Sequence, residues 1–215
     1  MKRNHGTKQR ILMEALNLFS VYGYEPVTVA EIAKAVGIKA PSLYKHYKSK
    51  RDIFDAILDE MRASYDRQAA SMQMDGRNAE KDQSLYTDNS EDETIERSVQ
   101  LFLYFLHDEN ERKFRKMLTI EQYNNKGLAD VYTKQYVDFP LYYQSAVFGL
   151  MVSAGVTIPE NPQIMALQYY APVYLYIRLC DCHPEREAEA LQILRQHFRQ
   201  FIRIYRNNKK GESEL

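Results

Sequence analysis

The sequence predicts an all-α protein of about nine helices, and three features support this prediction. Apolar residues recur at spacings of three and four along most of the chain, which is the period of a helix with one buried face. No stretch alternates apolar and polar residues as a half-buried strand does. Glycine, proline and capping residues divide the pattern into segments of ordinary helix length. We expect a three-helix head, residues 1–50, followed by a helical body, residues 51–215.

The first helix of the head is predicted between Lys8 and Tyr22, where apolar side chains form one stripe and a glycine follows. Residues 1–7, which precede it, are polar. Their Lys2 and Arg3 either contact phosphate groups or a minor groove, or belong to a disordered terminus. The helix itself is expected to support the next two.

Two short helices joined by a glycine turn are predicted within Thr28–Lys50. Thr28 and Glu31 form a capping box, in which each side chain accepts a hydrogen bond from a backbone amide at the helix start. Gly37 stands where the chain must leave this helix in a left-handed conformation, which costs glycine little. This order of elements predicts a helix-turn-helix, whose second helix lies in the major groove of DNA.

Charge is distributed unevenly along the chain, although its formal net charge is zero. Residues 1–51 hold ten Lys/Arg and three Asp/Glu, a net charge of +7. Residues 52–215 hold nineteen Lys/Arg and twenty-six Asp/Glu, a net charge of −7. Chance scatter of solvated charge would explain a lone basic patch. Because this patch coincides with a helix-turn-helix, we interpret it as a surface that meets phosphates.

The residues around the motif resemble the tetracycline-repressor (TetR) family. Pro41–Arg51, PSLYKHYKSKR, is similar to that family's P-[ST]-L-Y-x-H-[FYV]-x-[NS]-K signature, and the upstream T-V-x-x-I-A-x-x-x-G-[IV] pattern also matches. The resemblance covers roughly the first 65 residues; the rest of the chain fits the family only in its helical architecture. It implies a regulator, usually a repressor, that binds a palindromic operator as a homodimer and is released by a small-molecule effector. Residues 1–50 would then bind DNA, and residues 51–215 would bind the effector and dimerise.

The start of the second helix of the motif is expected to face the DNA. Ser42 can donate or accept at a base edge, and Ala40 or Pro41 can lie against a thymine methyl group. Arginine and asparagine, which suit bidentate base contacts, are absent here, so DNA shape and symmetry would supply part of the specificity. The predicted DNA-binding residues are Thr28, Lys39, Ala40, Pro41, Ser42, Tyr44, Lys45, His46, Tyr47 and Lys50.

Several of these roles come from the resemblance. It implies that Tyr44 contacts the DNA backbone, that Lys50 binds a phosphate at a helix start, and that Thr28 bonds a phosphate as well as capping. Tyr47 occupies an aromatic position that usually packs on the fourth helix of the family. His46 matches the family's histidine, with a capping or surface histidine as the alternative.

The body is expected to begin with a helix that a second capping box, Ser49 with Asp52, opens and that runs to about Ser71. Residues 71–93 are polar and are interpreted as a linker or mobile loop. The basic residues 112–116 are interpreted as a solvated face rather than a second DNA site. Further helices are expected over Glu93–His107, Asn110–Asn124, Gly127–Phe139 and Pro140–Ala154, from Asn161-Pro162 to about Cys180, and from Pro184 to about Asn207.

The last two helices favour self-association. Residues 164–180 are apolar almost all round, and such a helix must be covered on every side. Pairing with a second copy through a four-helix bundle would cover it, and the resemblance implies the same interface. The alternative is that both helices are internal core. The predicted interface residues are Tyr169, Val173, Ile177, Leu191, Leu194, Phe198 and Phe201.

Tyrosine is unusually abundant, with 17 in the chain. An aromatic cavity with a few polar tips is typical of small-molecule pockets, although helical spacing also allows plain core. The residues predicted to line an effector site are Phe102, Tyr123, Tyr136, Phe139, Tyr143, Tyr170 and Tyr174.

Other classes of protein fit the sequence poorly. No run approaches the roughly 18 apolar residues of a membrane helix, and the N-terminus lacks the apolar core of a signal peptide, so we expect a cytoplasmic protein. No phosphate-binding glycine loop, nucleophile elbow or H-E-x-x-H pattern is present, so we expect neither an enzyme nor a cofactor.

Two alternative functions remain open. Cys180, Cys182 and His183 carry soft-ligand atoms close together and would suit a metal- or thiol-responsive regulator, but their spacing is not that of a metal site, and we predict no metal. The second alternative is a helical module whose helix-turn-helix meets another protein instead of DNA.

Overall fold

The chain is all-α, as predicted. The structure is a computed structural model that describes residues 6–207, so the expected contacts of Lys2 and Arg3 lie outside the described residues. No strand occurs within this range, and no helix in it is both long and apolar enough to cross a membrane. The α-helices of this range are α1 (Thr7–Tyr22), α2 (Val29–Val36), α3 (Ala40–Leu43), α4 (Lys50–Ser71), α5 (Ala79–Thr87), α6 (Glu91–His107), α7 (Glu109–Glu121), α8 (Lys126–Thr133), α9 (Phe139–Ser153), α10 (Pro162–Cys182) and α11 (Glu187–Tyr205).

These helices form two compact units. The first comprises Met1–Tyr65 with Asp108–Tyr132, and the second comprises Asp66–His107 with Thr133–Leu215. The head therefore packs with α7 and α8, which come much later in the chain. The predicted division at residue 50 separates DNA binding from effector binding rather than one compact unit from another, and it stays a prediction.

The core of the first unit is built from the apolar stripes of its helices. Ile11 and Phe19 of α1, Ile32 of α2 and Leu43 of α3 are fully buried. Phe54 of α4 continues this core, and its ring lies 6.2 Å from that of Phe114 in α7 and 5.5 Å from that of Tyr24. The stripes predicted from spacing are thus the faces that hold the helix-turn-helix together.

Two apolar clusters lie among the described residues of the second unit. In the first, α6, α10 and α11 meet through buried side chains that include Val99, Ile177 and Leu194. In the second, the end of α9 meets α10 and α11 around Phe148 and Phe201, whose rings are 5.2 Å apart. Both clusters use the helices that the sequence predicts to be the most apolar.

The prediction that residues 71–93 are a linker or mobile loop is wrong, because α5 lies within them. Asn78 caps this helix by accepting hydrogen bonds from two backbone amides. The Asp82 carboxylate is buried and accepts from the amides of Asp75 and Gly76 and, at 2.6 Å, from the Tyr143 hydroxyl of α9. A polar segment is thus folded by one carboxylate that satisfies three donors.

The boundary predicted between Phe139 and Pro140 is also wrong. The α-helical hydrogen bonds stop at Thr133, and a π-helical turn, Lys134–Asp138, leads directly into α9. Pro140 stands in the first turn of α9 and cannot donate to the carbonyl of Tyr136 four residues earlier, which accepts from the Tyr170 hydroxyl at 2.7 Å. The carbonyl of Lys134 in the π-helical turn accepts a hydrogen bond from the Phe139 amide. The helical path therefore continues past the proline without a break.

The basic run at residues 112–116 is only partly a solvated face. Arg115 is buried, and its guanidinium lies 3.7 Å from the equally buried Glu111 carboxylate one helical turn away. Lys113 bonds Glu109 and the side chain of Asn17 in α1. Lys116 is exposed. Most of this run is therefore used within the first unit.

Candidate nucleic-acid interface

The helix-turn-helix begins with the capping box that the sequence predicts. The Thr28 hydroxyl accepts from the Glu31 amide at 3.2 Å, and the Glu31 carboxylate accepts from the Thr28 amide at 2.7 Å. These hydrogen bonds, the backbone one first, lower the pKa of Glu31. The Thr28 hydroxyl also donates to Glu31 at 2.8 Å, so its proton is committed to the cap. In this structure Thr28 therefore acts on α2 rather than toward a phosphate.

The turn between α2 and α3 has the predicted geometry. Gly37 adopts the left-handed conformation with φ of 78°, and Ile38 donates its amide to Ala33 at 2.9 Å. A side chain at this φ would be strained, which explains the glycine. Leu43 is fully buried and fixes α3 on the rest of the head.

Most of the other predicted DNA-binding residues lie in the segment Lys39–His46 and are exposed. Lys39, Pro41, Lys45 and His46 are exposed, and Ala40 and Ser42 are half-buried. Tyr44 is 53% exposed, so its ring and hydroxyl are accessible. The regular α-helical part of this segment is one turn, Ala40–Leu43, and Tyr44 to Tyr47 continue it through turn hydrogen bonds such as His46 to Leu43. Seven of the ten predicted DNA-binding residues thus lie on one short, mostly exposed and basic stretch.

Tyr47 and Lys50 have other roles in the structure. Tyr47 is 2% exposed, burial raises the pKa of its hydroxyl to about 12, and that hydroxyl faces the carbonyl of Lys8 at 3.5 Å. Lys50 donates from Nζ to the carbonyls of Tyr24 and Glu25, both at 2.9 Å, and lies 4.3 Å from the centre of the Tyr24 ring. Both were predicted as DNA contacts; here Tyr47 packs the head, and Lys50 ties α4 to the turn between α1 and α2.

Glu121 holds the same turn from α7, and sequence reasoning missed it. Its buried carboxylate accepts from the Tyr24 amide at 2.6 Å and the Glu25 amide at 3.2 Å. Gly23 adopts φ of 87°, and a Cβ at this position would stand 2.6 Å from the same carboxylate oxygen. The turn is therefore closed on one side by Lys50 and on the other by Glu121. No local signal marks Glu121, because its partners lie 97 and 96 residues away.

The head matches a known family. Residues 11–57 fit the sequence profile described as "Bacterial regulatory proteins, tetR family". The match to the tetR family covers the head and the start of α4. Over 48 residues it is 46% identical to IcaR, the biofilm operon icaADBC HTH-type negative transcriptional regulator of Staphylococcus aureus, covering 22% of this chain and 26% of IcaR. Over 51 residues it is 45% identical to the HTH-type transcriptional regulator AcrR of Shigella flexneri, covering 24% of each. The chain thus spans about a quarter of the length of these curated relatives.

The chain also shares its fold with solved structures along most of its length. A complex of SmeT with triclosan superposes with a TM-score of 0.69 at 18% identity, over 95% of this chain and 93% of SmeT. SmeT is described as the repressor of the Stenotrophomonas maltophilia multidrug efflux pump SmeDEF. A putative TetR-family regulator from Mesorhizobium loti superposes with a TM-score of 0.66 at 16% identity, over 93% of this chain and 96% of that one. At these identities the likeness shows the fold alone.

The residues predicted to line an effector site are scattered. Tyr143 donates to Asp82 and stacks on Phe139 at 6.5 Å between ring centres. The Tyr170 hydroxyl donates to the backbone carbonyl of Tyr136 at 2.7 Å, and its ring lies 6.3 Å from that of Tyr174. The other two stand apart from these contacts. Phe102 is fully buried in the cluster of α6, α10 and α11, and Tyr123 is 88% exposed in the first unit.

The residues predicted for the dimer interface face inward. Ile177, Leu194 and Phe198 are buried in the cluster of α6, α10 and α11, with Tyr169, Val173 and Leu191 packed against it, and Phe201 is buried beside Phe148. Helical spacing located the apolar stripe correctly, but α6 and α9 of the same chain cover it. The large apolar side chains that remain exposed on α10 and α11 are Ile164, Leu167, Leu175, Ile193 and Ile204.

The two cysteines differ in burial. Cys180 is buried, which raises the pKa of its thiol, and Cys182 is exposed. His183 faces Glu185 at 3.2 Å. Across residues 6–207, no group of three or more His, Cys, Asp or Glu side chains is arranged to hold a metal ion.

Proposed function

We propose that the chain is a transcriptional repressor that binds a palindromic operator as a homodimer and is released from it by a small molecule. The observation that carries the proposal is the mostly exposed basic stretch Lys39–His46 on a helix-turn-helix whose apolar face packs in the core of the first unit. IcaR is described as a negative regulator and SmeT as a repressor, which favours repression. The complex of SmeT with triclosan supports the small-molecule part of the proposal.

A two-fold symmetric dimer would place its two heads on half-sites one turn of DNA apart, about 34 Å. Phosphate contacts would come mainly from Lys39, Lys45 and the Tyr44 hydroxyl. They would set the register of the head on the duplex, while Ser42 and its small neighbours would meet base edges.

Selection of bound duplexes from a random DNA pool is expected to enrich one palindrome. Affinity for that palindrome should fall steeply as salt rises, because each neutralised phosphate releases condensed counterions. Filter binding across a salt series measures the slope. A flat slope and no enriched sequence would instead favour a module that meets another protein through its helix-turn-helix.

The exposed apolar side chains of α10 and α11 are proposed as the dimer face. Ile164, Leu167, Ala171 and Leu175 form one stripe on α10, at spacings of three and four, and Leu175 is 61% exposed. A second copy of the same stripe would cover these side chains in a symmetric four-helix packing.

A charge inside this stripe is expected to prevent dimerisation. Leu167→Glu would bury a carboxylate at the interface, so the protein should sediment as a monomer at concentrations at which the wild type is a dimer. Gln192→Glu adds the same charge to an exposed position of α11 outside the stripe and should remain dimeric. A dimeric Leu167→Glu protein would exclude this face.

A further inference from the structure

A cavity in the second unit lies at a place that the sequence did not mark. It has a volume of about 380 Å³ and is bounded by the turn between α5 and α6, the end of α9, α10 and the last turns of α11. Small-molecule sites in proteins typically measure roughly 300 to 1,000 Å³. None of the seven residues predicted for an effector site is among those that line this cavity.

Aromatic rings form the wall of this cavity. The ring of Tyr169 lies 5.5 Å from that of Phe148 and 5.2 Å from that of Phe201, and the rings of Phe201 and Tyr205 are 4.7 Å apart. The two tyrosine hydroxyls are already bonded, that of Tyr169 with Ser98 and that of Tyr205 with Gln168, both at 2.5 Å. The wall therefore offers an occupant rings rather than hydroxyl groups.

One polar group in the lining is buried and unsatisfied. Thr157 is 6% exposed, and its hydroxyl has no hydrogen-bond partner among residues 6–207. The backbone around it is held in place, because Ile158 donates its amide to Tyr205 at 2.8 Å and Asn207 donates its amide to Val156 at 3.0 Å. Buried hydroxyls nearly always have a partner, and valine would fill the same space without this cost. The hydroxyl is thus available to a bound molecule.

Charges of both signs stand at the rim. Glu91 at the start of α6 and Arg206 after α11 both line the cavity and are exposed. With one carboxylate and one guanidinium at the mouth, the rim selects for neither an anion nor a cation.

From the aromatic wall, the single unpartnered hydroxyl and the balanced rim, we propose that this cavity binds a small uncharged phenol. The ring of the phenol would pack against Phe148, Tyr169 and Phe201, and its hydroxyl would exchange a hydrogen bond with Thr157. A phenol suits this lining because it combines a flat apolar body with one group that both donates and accepts.

As an effector site, this cavity depends on the proposed function. Phe201, Ile202 and Tyr205 line it from α11, and Ile204 of the same helical turn lies on the proposed dimer face. An occupant that moves this turn would favour one arrangement of the dimer over another. If the occupant binds more tightly to the arrangement that does not fit the operator, it releases the DNA.

The test compares two fluorescent probes of nearly equal shape, 2-naphthol and 2-methylnaphthalene, on the full chain. The chain contains no tryptophan, so protein emission interferes little. The wild type is expected to bind 2-naphthol about fivefold more tightly, as one neutral hydrogen bond allows. Thr157→Val should remove this preference, and its unfolding midpoint in urea should not fall. Ile202→Phe, which fills the cavity, should weaken binding of both probes.

The control variant is Phe139→Leu, at one of the predicted effector residues outside the cavity, and it should leave both affinities unchanged. Loss of binding in Phe139→Leu with an intact preference in Thr157→Val would overturn the site, as would no saturable binding of 2-naphthol to the wild type. DNA binding is measured separately. A preference that depends on Thr157, in a protein that selects no operator, would keep the site and reject the proposed function.

Discussion

Replacing both Tyr44 and Lys45 with alanine is expected to weaken operator binding roughly a thousandfold. Each side chain is proposed to make one phosphate contact worth about 1 kcal/mol, and a homodimer makes each contact twice, so about 4 kcal/mol is lost. Both side chains are exposed, so the head should keep its fold. Electrophoretic mobility shift measures the affinity, and circular dichroism and sedimentation check the helix content and the dimer.

The matched control is Lys116→Ala, which removes an equal charge from an exposed position of α7 and should leave binding within a factor of about two. Lys50 is a poorer choice for such a test. Its ammonium group bonds two carbonyls of the turn between α1 and α2, so its removal would change the head as well as any DNA contact. If the Tyr44 and Lys45 double variant bound the operator like the wild type, the stretch Lys39–His46 would not be the DNA-binding surface.

Replacing Glu121 with alanine is expected to destabilise the protein by about 2 to 4 kcal/mol. The substitution leaves the amides of Tyr24 and Glu25 without an acceptor, and each unsatisfied group costs about 1 to 3 kcal/mol in proportion to its burial. Urea unfolding measures the loss, and amide hydrogen exchange at these two residues locates it. Operator affinity should fall as well, because this turn leads into α2.

Glu121→Gln separates the hydrogen bonds from the charge. Glutamine keeps an acceptor oxygen at the same reach, so most of the stability and of the amide protection should return. Equal protection of the two amides in wild type and Glu121→Ala would mean that the carboxylate does not hold this turn in solution.

The head was largely predictable because its signals are local. The capping box joins Thr28 and Glu31, which are three positions apart, and the left-handed turn requires Gly37 itself. Together with the apolar stripes they define a helix-turn-helix before any long-range contact is known. Local patterns could not show which polar side chains bond to distant parts of the same chain rather than remain free for a ligand. Lys50 resembles a phosphate-binding lysine, yet its partners are carbonyls 25 and 26 residues earlier.

The body was predictable in its helices but not in its surfaces. A helix that is apolar on all sides, such as α10, gives no information about which side its own chain covers. Residues predicted for the dimer interface, such as Phe198, therefore lie in the core. The sequence pattern did not distinguish this buried face from the exposed stripe through Leu167. The cavity at Thr157 was missed because it joins segments more than 100 residues apart.

The folding of α5 depends on the three hydrogen bonds that the Asp82 carboxylate accepts. A helix of nine residues is unstable alone in water, so this segment stays helical only while Tyr143 of α9 and the amides before α5 remain in place. The side chains of Arg77 and Lys81 are already exposed, and local opening would let trypsin bind the backbone beside them. Proteolytic sensitivity at these two residues is therefore a direct reporter of whether α9 keeps its native position against α5.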